Sequence, residues 1–171
     1  MSLYHFFNKK NKVKSKAENI YFQIVSISKE YIEEINHPIN QDFKTTFEIF
    51  SLFLIMYFKI SKELKYDKFE KVNLKLMNIF TKDLENYFRE LGIGDMSIGK
   101  YVKSYIKKFY YRIKKLDIIY DSRNFEEIDE FLSILDDKVL VQKIANSILQ
   151  KYIILKNEMK NNRIGDYLIE L

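Results

Sequence analysis

Only five of the chain's 171 residues are glycine or proline, and three of those five fall in the run GIGDMSIG, Gly92 to Gly99. Glycine and proline are the strongest local interrupters of regular backbone, so a chain this poor in both has few places to turn and favours long helices. Apolar residues recur at helical spacing along most of the length, and no stretch alternates convincingly with period two. A length of 171 residues suits one domain and is short for two. The sequence therefore predicts an all-α, single-domain bundle of about six helices with a basic N-terminal arm and no sheet.

The arm is residues 1–16, where Lys9, Lys10, Lys12, Lys14 and Lys16 crowd together, and it is expected to be mobile; a helical domain, 17–171, follows. Ile20, Ile24, Ile27, Tyr31 and Ile35 step by fours and threes through a first helix, which ends before Pro38. A second helix spans about Phe43 to Ser61 and contains the most apolar run, IFSLFLIMYF (Ile49–Phe58). A bilayer span takes about 20 apolar residues, so this run predicts a core helix instead. Val72, Leu76, Phe80, Leu84 and Tyr87 mark a third helix from about Asp67 to Leu91. Ile98, Val102, Tyr105, Phe109, Leu116 and Tyr120 mark a fourth. A short fifth is expected over FEEIDEFLSIL (125–135), and a sixth from Asp136 or Asp137 through Met159.

From Gly94 the run GDMSIGKY falls one residue short of the phosphate-cradling pattern G-x-x-x-x-G-K-[ST]. Such a loop needs Ser or Thr after the lysine to ligate magnesium, and Tyr101 cannot take that place. It also needs a strand before it, where the pattern here is helical. The window is expected to be a helix–loop–helix corner. Gly92 and Gly94 let the backbone turn, Asp95 or Ser97 caps the next helix, and Gly99 allows that helix a close approach to a neighbour.

Charge is unevenly placed. Between Lys100 and Lys115 there are seven basic residues and no acid, and between Glu126 and Asp137 six acids and no base. Lys100, Lys103, Lys107 and Lys114 fall on one side of the fourth helix, a row suited to RNA phosphates or lipid headgroups and equally to a solvated face. There is no cysteine, and the two histidines, His5 and His37, have no acid and nucleophile beside them. The adjacent acid pairs Glu33–Glu34, Glu126–Glu127 and Asp136–Asp137 point about 100° apart on a helix and do not converge. No metal, cofactor, small-molecule substrate or enzymatic activity is expected. MSLYHFF is too short for a signal-peptide apolar region. The protein is expected to be soluble, at most resting on a membrane, and, without a credible transit peptide, bacterial rather than from the mitochondrial matrix.

The segment LGIGDMSIGKYVKSYIKKFYYR, Leu91 to Arg112, resembles the signature of the ubiquinol–cytochrome c chaperone family, assembly factors for cytochrome b of respiratory complex III. In that family a G-[VI]-G-D segment precedes V-G-K, a basic helix and an F-Y-G-R run. FEIFSLFLIMYFKI is similar to the family's early Phe- and Leu-rich helix, and LDDKVLVQKIA to its D-D-K-V-L stretch. The resemblance covers roughly Ile20 to Tyr152. Tyr111 stands where the family usually has glycine, and Phe53 stands near an expected histidine. The resemblance implies a non-enzymatic chaperone that binds newly made cytochrome b; the basic helix and arm point to a ribosomal RNA or anionic membrane surface as a further partner, and a small helical partner subunit stays open. Its motif points to client or partner contacts at Gly92, Gly94, Asp95, Gly99, Lys100, Lys103, Phe109, Tyr110 and Arg112, and the lysine row adds Lys107. For Asp95 a simple capping role remains open beside the client contact. An alternative from another class is a small helical RNA- or ribosome-binding module that uses the basic helix 97–120.

Overall fold

The computed structural model describes residues 3–34, 43–65, 68–122 and 138–161. Five helices account for them: α1 (Leu3–Glu34), α2 (Phe43–Glu63), α3 (Phe69–Glu90), α4 (Asp95–Ser122) and α5 (Lys138–Asn161). The all-α expectation holds over the described residues, with five helices in place of six; the short helix expected over 125–135 lies outside them. The first helix begins far earlier than expected. It takes in residues 3–16, the segment assigned to a mobile arm, because Val13 and Ala17 continue the apolar stripe of Ile20, Tyr21 and Ile24 and already pack against the core.

The second helix is the axis of the bundle. From Phe47 to Ser61 every side chain except that of the half-buried Phe58 is buried, as a helix apolar on all sides must be. Its neighbours α1, α3, α4 and α5 surround it. At one end the packing is aromatic. Phe43 stacks on Tyr87 at 3.8 Å between ring centres, and Tyr105 meets Phe47 edge-on at 4.9 Å. Phe109 reaches Phe80 at 5.1 Å. Such pairs add about 0.5–1.5 kcal/mol beyond the area they bury.

Helix α5 closes the other end. Its Tyr152 stacks on Tyr120 of α4 at 4.6 Å. The Tyr31 hydroxyl of α1 donates to the Ile144 carbonyl at 3.4 Å and also pairs with Ser147. No described helix is long and apolar enough to cross a membrane.

Candidate functional site

The glycine window is a corner between two helices. Leu91 ends α3, and Gly92 follows with φ +77°, a left-handed conformation that glycine takes without Cβ strain. The Gly92 N–H donates to the Arg89 carbonyl at 3.0 Å and the Ile93 N–H to the Phe88 carbonyl at 3.1 Å. These two bonds make a Schellman motif, which satisfies carbonyls the helix would leave open. The residues leading into the window are helix, not strand, as the corner reading requires.

Three details differ from expectation. Gly94 has no positive φ; it is the residue before α4, and its carbonyl accepts from Ser97 and Ile98 N–H at 2.8 and 3.2 Å. Asp95 therefore lies inside the first turn of α4, where its charge suits the helix dipole, and pairs with Arg89 at 3.4 Å in solvent. A Cβ added at Gly99 would meet nothing within 4 Å, so Gly99 mediates no close helix approach.

The ten residues singled out in the sequence do not form one surface. Gly92, Gly94 and Asp95 sit at the corner, Gly99 and Lys100 follow within two turns, and Lys103, Lys107 and Tyr110 are exposed farther along α4. Phe109 is fully buried, as expected of the apolar stripe. Arg112, grouped with the surface lysines in sequence, is buried: its Nε and Nη2 donate to the two carboxylate oxygens of Glu48 on α2. Its guanidinium also lies 5.5 Å from the centre of the Phe47 ring. Burial pushes the Glu48 carboxyl above the ordinary carboxylate range, and the charges of Arg112, Lys108 and Lys44 oppose that push.

A second buried charge lies three helical turns along α2. Lys59 Nζ donates to Asp117 Oδ1 at 2.7 Å and pairs with Asp121 Oδ1 at 2.8 Å, both on α4, with Glu63 at 3.6 Å. Glu63 extends the network to α5 through Lys156 at 2.5 Å and the Tyr152 hydroxyl at 3.2 Å. Burial lowers the Lys59 ammonium's affinity for its proton, but the two aspartates outweigh it and hold the ammonium above the usual lysine value. Both pairings advance in the same direction along α2 and α4, so the two helices run parallel with α3 as the return. Glu48, Lys59, Asp117 and Asp121 were not picked out by motif. The available signal was two charges interrupting an otherwise apolar helix, since buried charges must find partners.

Two concavities flank this scaffold. A groove of about 710 Å³ runs between α1, α2 and α3. Its walls are largely aromatic and aliphatic, including Val25, Phe43, Phe50 and Tyr87, and its polar rim has Glu33, Asp83 and Glu90 against the single cation Lys29. The Tyr21 hydroxyl donates to Asp83 at 2.7 Å across it. Burial, reinforced by Asp83, pushes the Tyr21 phenol far above its ordinary value, so it stays a hydrogen-bond donor. On another side lies a shallower depression of about 360 Å³, lined by Lys44, Glu48, Tyr105, Lys107, Lys108, Tyr111 and Arg112. Among the described residues no group of three His, Cys, Asp or Glu side chains could hold a metal ion.

The described residues thus form a helical scaffold with an apolar groove and a separate basic face. The sequence model described as Ubiquinol-cytochrome C chaperone matches residues 36–152, more than half of the chain, and the chain belongs to that family. The match contains the corner and the basic helix on which the resemblance rested. The fold is similar to the crystal structure of the Cbp3 homolog from Brucella abortus, with a TM-score of 0.72 over 97% of each chain at 19% identity. No curated protein matches the sequence.

Proposed function

We propose that this protein is a non-enzymatic assembly chaperone that binds newly synthesised cytochrome b and assists assembly of the ubiquinol–cytochrome c reductase, respiratory complex III. Family membership supports a chaperone of this class. The groove between α1, α2 and α3 carries the client reading: its apolar walls suit the nonpolar side of an amphipathic helix, and its acid-rich rim suits basic flanks. Exposed Ile153 and Ile154 on α5 offer a place for a small helical partner subunit. The protein would work in the cytoplasm at the inner membrane of a bacterium, or in the matrix of a mitochondrion.

Deleting the gene should lower cytochrome b and complex III while other respiratory complexes persist. A photo-crosslinker at Val25, a partly exposed groove residue, should capture cytochrome b, and Val25→Glu should abolish that capture without disturbing the core. Normal complex III and ubiquinol oxidation in the deletion strain would end this reading. The exposed lysines of α4 favour a second one, a ribosome- or RNA-binding module, for which RNA affinity should fall steeply with salt.

A further inference from the structure

We propose that the depression between the start of α2 and the middle of α4 binds the headgroup phosphate of an anionic phospholipid. The inference sharpens the membrane placement of the chaperone reading and does not depend on its client. Four cations line the depression, Lys44 from α2 and Lys107, Lys108 and Arg112 from α4, against one carboxylate, Glu48, which Arg112 already engages from the floor. Among the described residues no carboxylate pairs with Lys44, Lys107 or Lys108, although acids answer Lys59, Lys151 and Lys156 elsewhere in the bundle. Lys44 is the second residue of α2, whose first turn has no acid. A cation at a helix N-terminus opposes the helix dipole, so like charge accumulates there until an anion arrives.

The surroundings favour lipid. Lys107, Tyr111, Lys114 and Ile118 recur at spacings of four, three and four along α4, and all four are exposed, with Tyr110 beside them. Tyrosines at headgroup depth, with lysines reaching phosphates and an aliphatic side chain reaching farther in, are what an interfacial helix presents. Lys108 lies over the Tyr105 ring at 4.6 Å, which holds its ammonium at the rim. Single-stranded RNA would call for a basic groove that tracks several nucleotides; this depression is short and single.

The test is co-sedimentation of the full chain, at about 0.15 M salt, with phosphatidylcholine vesicles with or without phosphatidylglycerol. The protein should bind only the anionic vesicles. One lysine near such a surface changes partitioning about fivefold, so Lys44→Glu with Lys108→Glu should weaken binding at least about 25-fold. Lys71→Glu with Lys82→Glu, the same charge change on exposed lysines of α3 away from this face, should weaken it less than about fivefold. Lys44→Gln alone guards against misfolding, because it removes the charge without setting a second acid beside the buried Glu48, and it should still cost about fivefold. Equal losses from the two double variants would overturn the site in favour of diffuse charge. Binding of inorganic phosphate or RNA through Lys44 and Lys108 without any vesicle binding would overturn the lipid assignment.

Discussion

Glu48 and Lys59 lie eleven residues apart on one side of α2 and both find partners on α4, yet their settings differ. The Glu48–Arg112 pair is sealed, with side chains 5% and 4% exposed. Lys59 is 8% exposed, but its partners Asp117 and Asp121 are 53% and 68% exposed. In the first pair both charges have left water; in the second only the lysine has. The difference predicts which deletions strand a charge. Loss of either member of the sealed pair leaves an ion in the core, whereas loss of Lys59 leaves two carboxylates that water already solvates.

The largest effect should come from Arg112→Leu, which abandons Glu48 and should cost about 3–5 kcal/mol in urea unfolding. Adding Glu48→Leu should recover most of that loss, since a buried pair replaced by apolar side chains is often neutral. Next, Asp117→Asn with Asp121→Asn leaves Lys59 only Glu63 as a carboxylate partner, beside the residue 117 main-chain carbonyl, and should cost about 1–3 kcal/mol. Lys59→Met should cost less than about 1 kcal/mol, because its stem stays packed and its partners stay wet. If Arg112→Leu and Lys59→Met cost the same, the distinction between sealed and open pairs fails.

The smallest effect is one of pH. Lys59 and Tyr31 both hold their protons more tightly when folded; burial pushes the Tyr31 phenol from 10.0 to about 12. A group raised in this way contributes stability that is complete below its unfolded pKa and is lost as pH rises through its folded one. Unfolding free energy should therefore fall from about pH 10 upward. Lys59→Met should flatten the fall in part, and an unchanged slope in that variant would remove Lys59 from the account.

The same seam separates what the sequence made legible from what it did not. Helix α2 was readable because IFSLFLIMYF leaves no polar side to face water. The corner was readable because Gly92 follows Leu91 at the end of a periodic stretch. Arg112 was misplaced because six lysines surround it in sequence and charge type outweighed phase. Its position three residues after Phe109 and four before Leu116 puts it on the buried stripe, which phase alone would have shown. Asp117 and Asp121 look like ordinary surface acids until a lysine from another helix is brought to them, and no local pattern encodes that meeting. Gly99 was given a packing role on residue type, and the open space beside it shows that small size alone does not specify a neighbour.

The hydroxyl bond from Tyr31 to the Ile144 carbonyl spans 113 positions of the chain. On a translating ribosome the first three helices emerge well before α5, so this clasp cannot close until α5 has been made. Until then the Tyr31 side of α1 stays uncovered, and the nascent chaperone would itself need shelter from the kind of sticky encounter it is proposed to prevent in its client.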